Sequence, residues 1–109
     1  MKSAPKFVND KVRRAYEELE NEPFEKKELQ KNLKKAFRDI AENADYGVQI
    51  PKRQIPKFYL RRYGIDNLWK YNLPNAWRLM YSVRRDDIIV VAIILEWMNH
   101  REYERRFSY

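Results

Sequence analysis

Residues 67–83 read NLWKYNLPNAWRLMYSV. Trp69, Tyr71 and Leu73 alternate with Lys70 and Asn72; after a break, Trp77, Leu79, Tyr81 and Val83 alternate with Arg78, Met80 and Ser82. A period of two marks strands with one buried face. The break decides how they pair. A two-residue turn at Pro74-Asn75 would set Tyr71 opposite Arg78 and mix apolar with charged side chains on both faces. A three-residue turn from Pro74 to Ala76 sets Asn72 opposite Arg78 and Lys70 opposite Met80. That register gathers Trp69, Tyr71, Leu73, Trp77, Leu79 and Tyr81 on one face. Each large apolar side chain left in water forfeits about 1.5–3 kcal/mol, so burial selects the longer turn. Asn75 tolerates the left-handed backbone such a turn often needs. Arg78 then stands beside Lys70 and Asn72 on the opposite face.

Working outward, IIVVAIIL at 88–95 is a third strand, apolar on both sides and therefore interior. The turn before it is RRDD at 84–87. The closing stretch EWMNHREYERRFSY forms a short helix from about Asn99 to Phe107, capped by Asn99, with Tyr103 one turn beyond His100. Toward the amino terminus, Val8, Val12, Ala15, Tyr16 and Leu19 recur at helical spacing, predicting a helix from Asn9 to Asn21 capped by Asn9 or Asp10. Pro23 stops it. A second helix runs from Glu25 to Ala44, with Leu29, Leu33, Ala36, Phe37, Ile40 and Ala44 on one stripe and Lys26, Lys27, Lys31, Lys34, Lys35 and Arg38 on a solvated face. Such a hairpin needs a sheet to cover. Between helices and strands, Gly47 ends the second helix, and PKFYLRRYG reads as a short helix from Pro56 closed by Gly64. Six cations, Lys52, Arg53, Lys57, Arg61, Arg62 and Lys70, are interleaved there with Phe58, Tyr59 and Tyr63. Those rings either stack on bases or pack beneath the loop.

The expected fold is a single α+β domain over residues 1–109. An N-terminal helix hairpin packs on one face of a twisted antiparallel sheet of three to four strands, followed by a short C-terminal helix. A chain of 109 residues is one domain's worth and removes about two thirds of its unfolded surface from water. It has no cysteine and one histidine, which excludes disulfides, thiol nucleophiles and multi-histidine metal sites within the chain. No apolar stretch has the roughly 18 residues of a membrane span, and MKSAPKF lacks the apolar core of a signal peptide. A soluble cytoplasmic protein with no membrane partner is expected. Lys and Arg outnumber Asp and Glu by 23 to 16, giving +7 and a sequence pI near 9.7. That balance predicts a polyanion or an acidic protein as partner.

The order of helix hairpin, antiparallel strands and terminal helix, with NLWKYNLPNAWRLMYSV and WMNHREYERRFSY, resembles the RelE/ParE superfamily of toxins, and its RelE-like mRNA interferase branch more closely. The similarity spans about residues 7–109 and is strongest from Asn67 onward. It implies the toxin of a type II toxin–antitoxin pair: a metal-independent, cofactor-free endoribonuclease that cleaves mRNA, in many members within the ribosomal A site. It also implies a cognate acidic antitoxin wrapped around the toxin. Carried onto this chain, Arg78 matches the strand arginine beside the scissile phosphate and Lys70 a basic residue on the preceding strand. His100 or Arg101 falls where the family places a cationic or acid–base residue, and Tyr103 or Tyr109 at its C-terminal aromatic. Lys52, Arg53, Lys57, Asn72, Arg101 and Tyr109 complete the expected RNA-binding set. The chain departs from the family in three places. Asn72 stands where some relatives carry a lysine, Pro5 weakens the N-terminal strand, and the loop from Ile50 to Gly64 is long.

In the chemistry so implied, Arg78 stabilises the phosphorane through a fork that binds two phosphate oxygens, and Lys70 adds a point charge. A histidine, with an unperturbed pKa of about 6.5, suits His100 to general acid or base work. Tyr103 orients the substrate or stacks on a base. The product carries a 2′,3′-cyclic phosphate. Glu96 and Glu102 either neutralise nearby cations or supply a base. Two other classes compete: a non-catalytic ParE-like toxin that binds a topoisomerase, and a basic nucleic-acid-binding module without chemistry.

Overall fold

The computed structural model, which describes residues 2–86 and 88–108, pairs Asn72 with Arg78 and Lys70 with Met80, the register that burial of one face selects. The strands are β3, Trp69–Asn72, and β4, Arg78–Arg85, joined by a tight 3-10 turn at Pro74–Ala76. Asn75 and Ala76 both adopt left-handed backbone, with φ of 61° and 62°. The Leu73 N–H donates to the Trp77 carbonyl at 2.9 Å and closes the turn.

The sheet has five strands in the order β1-β5-β4-β3-β2. The two strands outside the expected set are β1, Ala4–Phe7, and β2, Val48–Gln49. β1 runs parallel to β5, Val90–Met98, so the sheet is mixed rather than purely antiparallel. Pro5 is tolerated because β1 is an edge strand, where a missing N–H breaks no inner ladder. β5 lies between β1 and β4, the interior position its two-sided apolar character predicts. It begins two residues later than the apolar run, leaving Ile88 and Ile89 exposed, and continues through Glu96 and Trp97. A bulge interrupts its pairing: Tyr81 faces Ile94 and Met80 faces Glu96, so Leu95 is the extra residue.

Helix limits follow local chemistry. α1, Asp10–Glu18, is capped by Asn9, whose side chain accepts from the Val12 N–H at 2.9 Å. It tightens into a 3-10 turn at Leu19–Asn21, and α2, Phe24–Glu42, starts directly after Pro23. α3, Lys57–Tyr63, ends on Gly64, with φ of 67°. α4, His100–Arg106, starts with a capping box in which Asn99 and Glu102 satisfy each other's backbone N–H groups.

α1 and α2 cover the face carrying Tyr71, Leu73, Leu79 and Tyr81, with Trp69 and Trp77 packed at its margin. The opposite face also carries a core, which an arrangement with helices on one side does not anticipate. There Met80, Leu95 and Met98 pack against Tyr59, Tyr103 and Phe107 from α3 and α4. The bulge contributes, because it turns Leu95 toward this second core. Tyr59 is fully buried, and Phe58 and Tyr63 pack at its edge, so the loop aromatics are part of the cover and not free to stack on bases. No helix among the described residues is long and apolar enough to cross a membrane.

Candidate functional site

Lys70 and Arg78 occupy diagonal positions on the second face, since Lys70 faces Met80 and Asn72 faces Arg78. Diagonal neighbours of this kind lie within reach of long side chains. Met98 faces Arg78 from β5, and α4 starts two residues later. The helix folds back over the sheet and brings Tyr103 between the two cations. The Lys70 Nζ lies 5.0 Å from the centre of the Tyr103 ring and 3.3 Å from its hydroxyl, to which it donates. The Arg78 Cζ lies 5.3 Å from the same ring centre. Tyr103 is buried and stacks on Phe107 at 4.5 Å, so the ring is held from behind.

Among the half-buried cations of the described residues, Arg13, Lys70, Arg78 and Arg106, only Lys70 and Arg78 have no carboxylate in ion-pair range. Arg13 pairs with Glu17, Lys35 with Asp39, Arg85 with Asp45 and Arg106 with Glu96. No carboxylate lies in ion-pair range of Lys70 or Arg78 among the described residues. Both are half-buried. Among the described residues, the buried Arg78 Nε has no hydrogen-bond partner, and Nη1 makes a long 3.4 Å bond to the Trp77 carbonyl. Two half-buried cations sharing one aromatic ring retain unspent donors and a positive field. Such a site attracts an anion, and a guanidinium fork with a nearby ammonium matches phosphate oxygens.

The remaining candidates lie around this cluster. Asn72 is exposed on the same face as Arg78. His100 is exposed on the first turn of α4, and its Nε2 meets Glu104 Oε1 at 2.6 Å along the same helix. No hydrogen bond or ring contact joins His100 to Arg78, Lys70 or Tyr103 among the described residues. Arg101 is exposed beside it, while Tyr109 lies outside the described residues. Lys52, Arg53 and Lys57 are exposed on the segment that caps the second core, with no contact to Arg78 among the described residues. Glu96 and Glu102 have structural partners: Glu96 binds Arg106 at 2.7 Å, and Glu102 accepts from the Asn99 N–H. Burial raises the Glu96 pKa above the usual carboxylate range, against the pull of Tyr59 and Arg106. Arg106 is further held 3.7 Å over the Phe58 ring, which makes this pair a clamp between α4 and α3.

Nothing in the local sequence singles out Tyr46. It stacks on Tyr71 at 5.5 Å between ring centres and 20° between planes, beside a cleft of about 270 Å³ that also takes in Gly47, Val48, Lys70 and Asn72. The local signal was a tyrosine directly before a glycine at a helix end, which by itself marks only a turn. Among the described residues, no cluster of three or more His, Asp or Glu side chains is arranged to hold a metal ion. No family model, curated protein or solved structure matches the chain.

Proposed function

We propose that the chain is a RelE-like toxin, an endoribonuclease that cleaves mRNA at the Arg78–Lys70–Tyr103 cluster. One observation carries the reading: two half-buried cations converge on a buried tyrosine with no carboxylate in ion-pair range among the described residues. In this reading a phosphodiester supplies the missing charge. Its 2′-hydroxyl loses a proton to a base, the 2′-oxygen attacks phosphorus, and the 5′-oxygen leaves with a proton. The products are a 2′,3′-cyclic phosphate and a 5′-hydroxyl. Arg78 takes up the charge that grows on the phosphorane oxygens, a role in which loss of one donor costs about 10²–10³ in rate. Lys70 adds charge and is held in place by the buried Tyr103. His100 moves the proton after exchanging Glu104 for the substrate, and Arg101, Asn72, Lys52, Arg53, Lys57 and Tyr109 hold the RNA. The ribosome as the place of cleavage and an acidic antitoxin as silencing partner belong to the same proposal, favoured by a charge of +7.

The test is cleavage of mRNA in a translation extract by the wild type and by Arg78→Ala. The expected result is shortened mRNA with cyclic phosphate ends from the wild type and none from the variant, which keeps its circular dichroism spectrum. Unchanged cleavage by Arg78→Ala removes the cluster from the chemistry. DNA damage with intact mRNA on induced expression favours the topoisomerase-binding reading instead.

A further inference from the structure

We infer that Tyr46 is a stacking platform for an unpaired nucleobase next to the phosphate held by Lys70 and Arg78. The inference rests on the proposed RNA reading and adds a recognition site to it. Tyr46 sits in the 3-10 turn Ala44–Tyr46, and more than half of it, 55%, is exposed, although a tyrosine is costly to leave in water. One face of its ring lies on Tyr71. Tyr71 is buried and cannot swing away, because its hydroxyl donates to Asp39 at 2.6 Å, and Asp39 is gripped by Lys35 at 2.9 Å. The turn itself is pinned from below: the Tyr81 hydroxyl donates to the Ala44 carbonyl at 2.8 Å and accepts from the Gly47 N–H at 2.9 Å. A rigid aromatic step with one covered and one open face results.

The surroundings select the ligand. β2 pairs with Trp69 and Lys70, and among the described residues the β3 edge at Tyr71 and Asn72 meets no further strand. The cleft wraps around that free edge, with Tyr71 on one side and Lys70 and Asn72 on the other. The far wall of the same cleft carries the exposed Asn72, whose amide can both donate to and accept from a base edge. The same Lys70 that lines the cleft reaches the Tyr103 hydroxyl on the second face. The same residue thus borders the platform through the β3 edge and reaches the anion site through its side chain, as a base and its neighbouring phosphate lie next to each other in a single strand. Aromatic platforms beside cationic backbone sites are the general means of holding single-stranded nucleic acid.

The test uses uncleavable 2′-O-methyl oligouridine and an abasic oligomer with the same backbone, measured by fluorescence anisotropy. Tyr46→Ala is expected to weaken oligouridine binding roughly 5- to 150-fold, the range implied by losing one stacked base, and to leave the abasic oligomer unaffected. Tyr46→Phe restores binding. Arg78→Ala weakens both oligomers alike. If Tyr46→Ala binds oligouridine as the wild type does while Arg78→Ala fails to, the platform is refuted and the anion site stands. If the wild type binds neither oligomer, both readings fall. A second measurement needs no variant: an iodouridine oligomer photocrosslinked to the unaltered protein should mark Tyr46, and marking of other residues alone overturns the inference.

Discussion

The Lys70 ammonium and the Tyr103 hydroxyl, 33 residues apart in sequence, meet at 3.3 Å across the second face of the sheet. The bond makes Tyr103 a positioning residue for the cation. Tyr103→Phe keeps the ring and its cation–π contacts and removes only this bond, so stability should fall by about 1 kcal/mol and, in the ribonuclease reading proposed above, cleavage by about tenfold. Cleavage rates with a defined mRNA, set beside urea unfolding, measure both. A drop of a thousandfold or more would instead give the hydroxyl a share in proton transfer.

Tyr81 ties the carboxyl end of the α2 region to the sheet through one hydroxyl that serves Ala44 and Gly47 together. Burial pushes its pKa up to about 12, against the pull of the Gly47 N–H, so the group stays a neutral donor throughout the useful pH range. Tyr81→Phe should lose about 2 kcal/mol or more, since both backbone groups lose their partner at once. The midpoint of chemical unfolding should drop with an unchanged slope.

The two glycines of the chain answer differently to alanine. A methyl on Gly47 would lie 2.6 Å from the Lys70 carbonyl oxygen and 2.8 Å from the Tyr81 hydroxyl, so the turn would have to lift off β3. At Gly64 the space is open, and only the positive φ of 67° resists, at about 1–2 kcal/mol. Gly47→Ala should therefore lower the melting temperature more than Gly64→Ala. The reverse order would mean that the turn yields easily.

Ala76 occupies left-handed backbone without the excuse of a polar side chain, at φ 62°. Ala76→Gly should raise stability by about 0.5–1 kcal/mol, the relief of strain exceeding the added freedom of the unfolded chain. Differential scanning calorimetry of the variant would register the gain as a higher melting temperature.

Two carboxylates give acid stability opposite slopes. The Tyr71 hydroxyl, and then Lys35, hold the Asp39 carboxyl below the usual carboxylate range. Its contribution is complete above the unfolded value of about 3.9 and is lost as pH falls through the lower folded value. Asp39→Asn should flatten stability in that acid window. Burial raises Glu96 above its unfolded value of about 4.3, so its term disfavours folding increasingly as pH rises from there through the raised folded value. Glu96→Gln should remove that decline. Unfolding measured in steps from pH 2 to 7 separates the two, and matching pH profiles for both variants would contradict the assignment.

The alternation of Trp69, Tyr71, Leu73, Trp77, Leu79 and Tyr81, with the turn residues between them, was enough to set the pairing of Asn72 with Arg78. Burial energy penalises every other register locally, and the same holds for the caps at Asn9 and Asn99 and the stop at Gly64. The cover over Lys70 and Arg78 was not legible, because a strand's period says which side chains share a face and nothing about what packs on it. Tertiary folding laid α4 across the sheet, put Tyr103 against both cations and tied His100 to Glu104 on the helix surface. It likewise paired β1 parallel to β5 and stacked Tyr46 on Tyr71, contacts between distant segments that carry no mark in local sequence. Sequence by itself determined strands β3, β4 and β5 and the face from which Lys70 and Arg78 project. Only the closed chain decided which cations stay without a counter-charge, since that depends on every carboxylate the fold brings near.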